Sequence, residues 1–378
     1  MAITLKIGTP VVGSDFFGRK NELALAQKRL MGNNLMLAAP RRVGKTSFAR
    51  MIMSQMGDMG WNSIFIDLEG LSDVGGFFNA IHKALLELPN VGKSQQVFNY
   101  IKNHIPNINL SANIAGVETK VQLSKQVTDG FEIIQSNLQK LEEPTLIILD
   151  EMTVFLDRLL DDDGERLVKD FLDKFRSLRQ NSLAQCKWLV ASSIGVRHFA
   201  STHRLSDTIN DFMDFPLGAY NDEEAVGLVK ALAVSEGLGI DEDCIHYLLS
   251  KIGWNIPYFI QLMISYLPGK QITHSDIDDA YDTVLNTSAF ETWSERLTKE
   301  YGETEKYARR ILDLLCLRPA GRMRDEIEYY IDIEGWDMEH FSTLLMTLEK
   351  DGYIGKDGSR RYFRSPLLRD YWKKKFCE

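Results

Sequence analysis

The segment Ala39-Pro40-Arg41-Arg42-Val43-Gly44-Lys45-Thr46 has the residue types and spacing that cradle a polyphosphate, with Ala39 standing where the first glycine of such a loop is usual. The backbone N–H groups of the loop and of the helix that follows, opening through Ser47, converge on phosphate oxygens. Gly44 lets the backbone approach closely, Lys45 reaches the β- and γ-phosphates, and Thr46 offers its hydroxyl to Mg²⁺. Alanine suits position 39 only with a negative φ, and Pro40 restrains its predecessor toward extended conformations. Three readings stand open for Arg41 and Arg42: contact with phosphate, contact with a neighbouring subunit, or solvated loop charge.

Polyphosphate chemistry needs an acidic partner, and Leu146-Ile147-Ile148-Leu149-Asp150-Glu151 supplies one. A buried apolar strand ending in two acids is the Walker B arrangement. Asp150 would hold magnesium, usually through water, and Glu151 would polarise the attacking water as general base. Having both acids argues for hydrolysis, because binding alone does not need Glu151. Another apolar run ends at Ser192-Ser193, whose hydroxyls would either bond the γ-phosphate or the water, or simply cap a strand. Arg197 would report the γ-phosphate in cis or face a neighbouring subunit. The catalytic candidates are therefore Lys45, Glu151 and Ser193, and the metal candidates are Thr46 and Asp150.

These residues must be set out by regular elements. Five short apolar runs, at 35–39, 64–67, 146–150, 188–192 and 212–215, are bounded by polar or turn residues and separated by helical patterns. Continuous apolar strands alternating with helices predict a parallel sheet covered on both faces, an α/β architecture. Between the second and third runs lies an insertion around 91–128. There Val117, Thr119, Val121 and Leu123 alternate with Glu118, Lys120 and Gln122, which predicts a half-exposed strand pairing with 108–114 as an appended β-ribbon, Gly116 near its turn. After Pro216 the pattern is helical. Asn221, followed by Asp222, Glu223 and Glu224, opens one helix, and Gly253-Trp254-Asn255-Ile256-Pro257 interrupts the series. From about 290 the pattern reads helix, helix, helix, hairpin, with Asp357-Gly358-Ser359 as the turn, the outline of a winged helix.

The 378 residues carry a formal net charge of −9, which excludes a global basic field that would pull the chain onto nucleic acid or an anionic membrane. The expected recognition helix, about 337–350, is acidic, whereas the stretch from Lys356 to Lys375 holds eight basic residues against two acids, which leaves open non-specific nucleic-acid contact beside a protein-docking or autoinhibitory role. No apolar stretch is long enough for a membrane helix and no secretory leader is recognisable, so a cytoplasmic location is expected. The four cysteines are scattered and read as buried or free thiols of a reducing compartment. The seven histidines lack metal spacing, and Asp161-Asp162-Asp163 reads as a solvated loop.

In these residues the chain resembles the STAND-type and archaeal-type AAA+ ATPases, P-loop NTPases related to the origin-recognition group. Pro10-Val11, Phe16-Phe17-Gly18-Arg19 and Asn21-Glu22-Leu23 are similar to that family's N-terminal box, which implies that Val11, Gly18 and Arg19 lie against adenine and ribose. Pro40-Arg41-Arg42-Val43-Gly44-Lys45-Thr46 is similar to its phosphate loop, Leu149-Asp150-Glu151 to its Walker B, Ser192-Ser193 to its sensor strand, and Gly253 to Pro257 to its lid element, where Pro257 would contact the nucleotide. The resemblance implies three domains: a P-loop NTPase domain over 1–217, a helical lid over 218–288 and a winged helix over 289–378. It implies ATP and Mg²⁺ as ligands and a slowly hydrolysing regulatory ATPase that switches conformation or assembly, through self-association or a protein partner. Two alternatives remain, a DNA-acting ATPase using the basic stretch and a non-catalytic nucleotide-binding scaffold.

Overall fold

The computed structural model describes residues 3–88, 117–181, 185–192, 195–269, 271–333, 335–336 and 340–377, with the backbone alone for 117–126, 198 and 300. The chain forms two compact units. One comprises Lys20–Ala39 and Lys45–Leu217; the other comprises Met1–Arg19, Pro40–Gly44 and Gly218–Glu378.

The first unit is built on a parallel sheet of five strands: β1 (Asn34–Ala38), β2 (Asn62–Asp67), β3 (Thr145–Asp150), β4 (Cys186–Ser192) and β5 (Phe212–Pro216), in the order β2-β3-β4-β1-β5. Every residue of β3 is buried, as a strand covered on both faces requires. Helices flank the sheet. Phe77, Phe131, Phe155, Phe171 and Phe175 interlock on one face, with the ring of Phe175 edge-on to Trp188 of β4 at 4.9 Å. The order places β4 between β3 and β1, so the strands that precede the phosphate loop and end in Asp150 both neighbour β4, and all of them point their C-terminal ends the same way.

The strand expected at 117–123 is helical instead. Val117 to Leu123 open the α-helix Val117–Leu138, and the segment 108–114 lies outside the described residues. A brief alternation decided the strand reading, but the longer pattern has helical period: Val127, Phe131, Ile134 and Leu138 are all buried at spacings of four, three and four. Glu118, Lys120 and Gln122 are also good helix formers.

In the second unit the helices Asp222–Glu236, Glu242–Ile252, Pro257–Ile264 and His274–Leu285 come first. The Asn221 side chain caps the first by accepting from the Glu224 N–H, and Pro257 occupies the first turn of the third. The helices Glu291–Glu300, Glu305–Cys316, Arg324–Ile333 and Phe341–Asp351 follow. A small antiparallel sheet in the order β6-β8-β7 joins β6 (Arg322–Met323) to the hairpin of β7 (Ile354–Asp357) and β8 (Arg360–Phe363). Beyond the expected three helices and hairpin, the described residues here add a fourth helix before the hairpin, the helix Pro366–Trp372 and a π-helical turn Lys373–Cys377 after it, and the third strand β6. The segments 3–19 and 40–44, expected with the sheet, belong to this second unit.

Candidate nucleotide site

Within the sheet unit, β1 delivers Ala39 and the helix Lys45–Asp58 begins at Lys45. Ala39 is not among the described residues with positive φ, so the condition for alanine there is met. The Lys45 ammonium, 7% exposed, donates to the Ala39 carbonyl at 2.9 Å and so bridges the two ends of the loop. Thr46 follows, and its hydroxyl donates to Oδ2 of Asp150 at 2.7 Å. Ser47 is buried in the same first turn.

Asp150, only 3% exposed, is the last residue of β3, and its Oδ1 accepts from the Glu151 N–H at 3.1 Å. Burial pushes its carboxyl above the ordinary carboxylate value, and the neighbouring Glu151 charge adds to the shift; the Thr46 hydroxyl and Lys45 ammonium oppose it. A divalent cation at this carboxylate would favour its ionised form. The hard oxygens of Thr46 and Asp150 suit magnesium, and no cluster of three His, Cys, Asp or Glu side chains that could hold a metal occurs among the described residues. A magnesium ion held by this pair would complete its shell with phosphate oxygens and water.

Glu151 opens the helix Met152–Asp163 in a left-handed conformation, φ 54° and ψ 41°, and its side chain does not cap that helix. On the adjacent strand, the Ser192 hydroxyl lies 2.6 Å from that of Thr153. Thr153 was not singled out from the sequence; a buried hydroxyl in the first turn of an apolar helix is the signal it left. Ser193 lies outside the described residues. Arg197 is turned to β5, pairing with Asp214 at 2.6 Å and donating to the Phe212 carbonyl.

The middle of the loop belongs to the second unit. Gly44 has φ 94° and Arg42 φ 68°, and the Arg42 guanidinium stands 4.4 Å above the ring of Tyr258, next to Pro257. Arg41 is half-buried, as are Val11 and Pro257. A Cβ at Gly18 would come within 3.0 Å of Glu224 Oε1, and φ is 68° there. Arg19 is 1% exposed and donates to the carbonyls of Val43 and Gly218. Of the four described non-glycine residues with positive φ, three (Arg19, Arg42 and Glu151) are site candidates, a concentration of backbone strain typical of functional sites.

No protein-family model and no curated protein matches the sequence. Among solved structures, the Walker-type ATPase PABY2304 of Pyrococcus abyssi superposes with a TM-score of 0.68 at 18% identity, over 98% of this chain and 99% of that one. The ORC2 protein of Aeropyrum pernix, solved as ADPNP–ADP complexes, superposes with a TM-score of 0.54 at 11% identity, over 97% of each chain. The chain has the AAA+ P-loop ATPase fold. In this fold the loop follows β1, Asp150 ends β3 and Glu151 follows it, and Thr46 and Asp150 meet directly.

Proposed function

We propose that this chain binds ATP with Mg²⁺ and hydrolyses it slowly, as a cytoplasmic regulatory switch of AAA+ or STAND type. The observation that carries the reading is the 2.7 Å bond between Thr46 and Asp150, which joins the phosphate loop to the acidic strand. In this reading the loop amides and Lys45 bind the β- and γ-phosphates, and Thr46 and Asp150 hold the ion, which supplies charge neutralisation at the phosphates. Glu151 takes a proton from the attacking water, and Ser192 orients the first turn of the Glu151 helix through Thr153.

The switch reading divides the second unit into a lid over 218–288 and a winged helix over 289–378. It is supported by what touches the middle of the loop. A Cβ on Gly352, at the end of the helix Phe341–Asp351, would collide with the Trp254 ring and stand 3.0 Å from Cβ of Pro40. Trp254 in turn packs against Trp293 and beneath the Arg364 guanidinium. A change at Pro40 therefore has a packed route into the terminal helices, whose outlet would be self-association or a protein partner. No described helix is long and apolar enough to cross a membrane.

The basic stretch supports nucleic-acid contact less than its composition suggests. Arg361 is paired with Glu349, Arg369 with Asp370, and Arg364 is half-buried with its guanidinium over Trp254. Paired and buried cations release few counterions on binding a phosphate backbone.

Glu151→Gln tests the hydrolytic half. It should leave MgATP affinity within about threefold of the natural protein and lower single-turnover phosphate release by roughly a hundredfold or more, the usual range for a lost general base. Unchanged release in the Gln variant would remove Glu151 from the reaction.

A further inference from the structure

We propose that Arg19 is a positioning residue that aims the phosphate loop from behind, rather than a residue that contacts the nucleoside. The proposal rests on the nucleotide-binding reading of the loop and assigns Arg19 a different task from the adenine and ribose contact implied by the resemblance.

The argument begins with the peptide plane. In a trans peptide the C=O and the following N–H point in opposite directions. Nη2 of Arg19 donates to the Val43 carbonyl at 2.9 Å. That bond holds the Val43–Gly44 plane and so sets the direction of the Gly44 N–H, one of the amides expected to meet phosphate. Gly44 itself has φ 94°, a conformation that needs holding because glycine has many others open to it.

The guanidinium is fixed from several sides. The same Nη2 donates to the Gly218 carbonyl at 2.8 Å, and the Tyr220 ring lies 4.7 Å from the guanidinium carbon. The Tyr220 hydroxyl donates to the Phe17 carbonyl at 2.8 Å, and the Arg19 N–H is held by Glu224. Arg19 takes a left-handed backbone, φ 57°, at 1% exposure, which places its side chain on backbone carbonyls within the fold and away from solvent. Because one nitrogen serves both Val43 and Gly218, the orientation of the loop is linked to the start of the helical segment that follows Gly218.

The test compares MgATP with magnesium tripolyphosphate, which has the phosphates and no nucleoside. Both are titrated against the natural protein, Arg19→Gln and Arg19→Lys, and thermal unfolding is recorded without ligand. The proposal expects Arg19→Gln to lose affinity for both ligands by the same factor, about tenfold or more, as the loss of a charged donor to the backbone implies. Arg19→Lys should fall between the two. If Arg19→Gln does not fold, Tyr220→Leu removes the shelf beneath the guanidinium and should weaken both ligands equally, by a smaller factor. Loss of ATP affinity with tripolyphosphate unchanged would overturn the proposal, because it would place Arg19 at the nucleoside. Unchanged affinity for both would overturn it as well. Failure of the natural protein to bind either ligand would instead refute the nucleotide-binding reading.

Discussion

Glu151 starts its helix at φ 54°, a conformation that costs a residue with a β-carbon about 1–2 kcal/mol. The fold tolerates this at the end of its most buried strand, directly after the carboxylate that meets Thr46. His82 carries a different kind of tension. Its side chain is wholly buried on the helix Val74–Leu86, neither ring nitrogen has a hydrogen-bond partner among the described residues, and burial lowers its pKa from 6.5 to about 4. Between those two values the unfolded chain takes up a proton that the folded chain refuses. The stability present above pH 6.5 therefore declines as the pH falls through that window. The total loss is of the order of 3 kcal/mol, at about 1.4 kcal/mol for each pKa unit. Urea unfolding of the natural protein and His82→Leu across this range checks it: the Leu variant should lose less stability on acidification, and parallel curves would contradict the assignment. Lys45, Thr46 and Asp150 were legible as candidates because a phosphate-loop spacing and an apolar strand ending in acids are local patterns. Tyr220 and Glu224 were not, because their ties to Phe17 and Arg19 span 203 and 205 residues and no spacing rule connects them.

The parallel strands were legible because burial on both faces forces unbroken apolar runs, and the bounds of the observed strands differ from the expected ones by only a residue or two. The helix Val117–Leu138 was misread because a few alternating residues satisfy either period, and only the run through Leu138 separates them. β6, two residues long, is too short to leave any pattern. The misread helix also yields a test. Gly130 lies within it, and a Cβ there would collide with the ring of Phe78, which is packed edge-on against Phe77 and Phe131. Gly→Ala in a helix interior ordinarily gains up to about 1 kcal/mol. Overpacking a fixed aromatic cluster costs about 1–3 kcal/mol. Gly130→Ala should therefore lower unfolding stability by about 1 kcal/mol in chemical denaturation, and a gain would show that the helix does not approach Phe78 so closely.

Across the whole molecule, the two compact units divide the phosphate loop: Ala39 and Lys45 belong to the sheet, and Pro40–Gly44 to the helical unit. That membership was not legible, since a continuous motif gives no sign that its middle packs with residues far along the chain. Cys316 and Cys377 likewise lie 61 positions apart with their sulfurs at 3.0 Å, and burial pushes both thiols up. The helical unit surrounds its share of the loop with Arg19 at Val43, Tyr258 at Arg42, and Gly352 at Pro40. The proposed function requires that this loop hold a polyphosphate. The most direct measurement is a calorimetric titration of MgATP into the natural protein and Lys45→Ala, repeated with excess chelator. Saturable one-to-one binding that the chelator weakens, and that Lys45→Ala reduces by roughly a hundredfold or more, is the predicted result, as expected for a charged partner of phosphate. Equal binding by the two proteins, or no heat from either, would contradict the account.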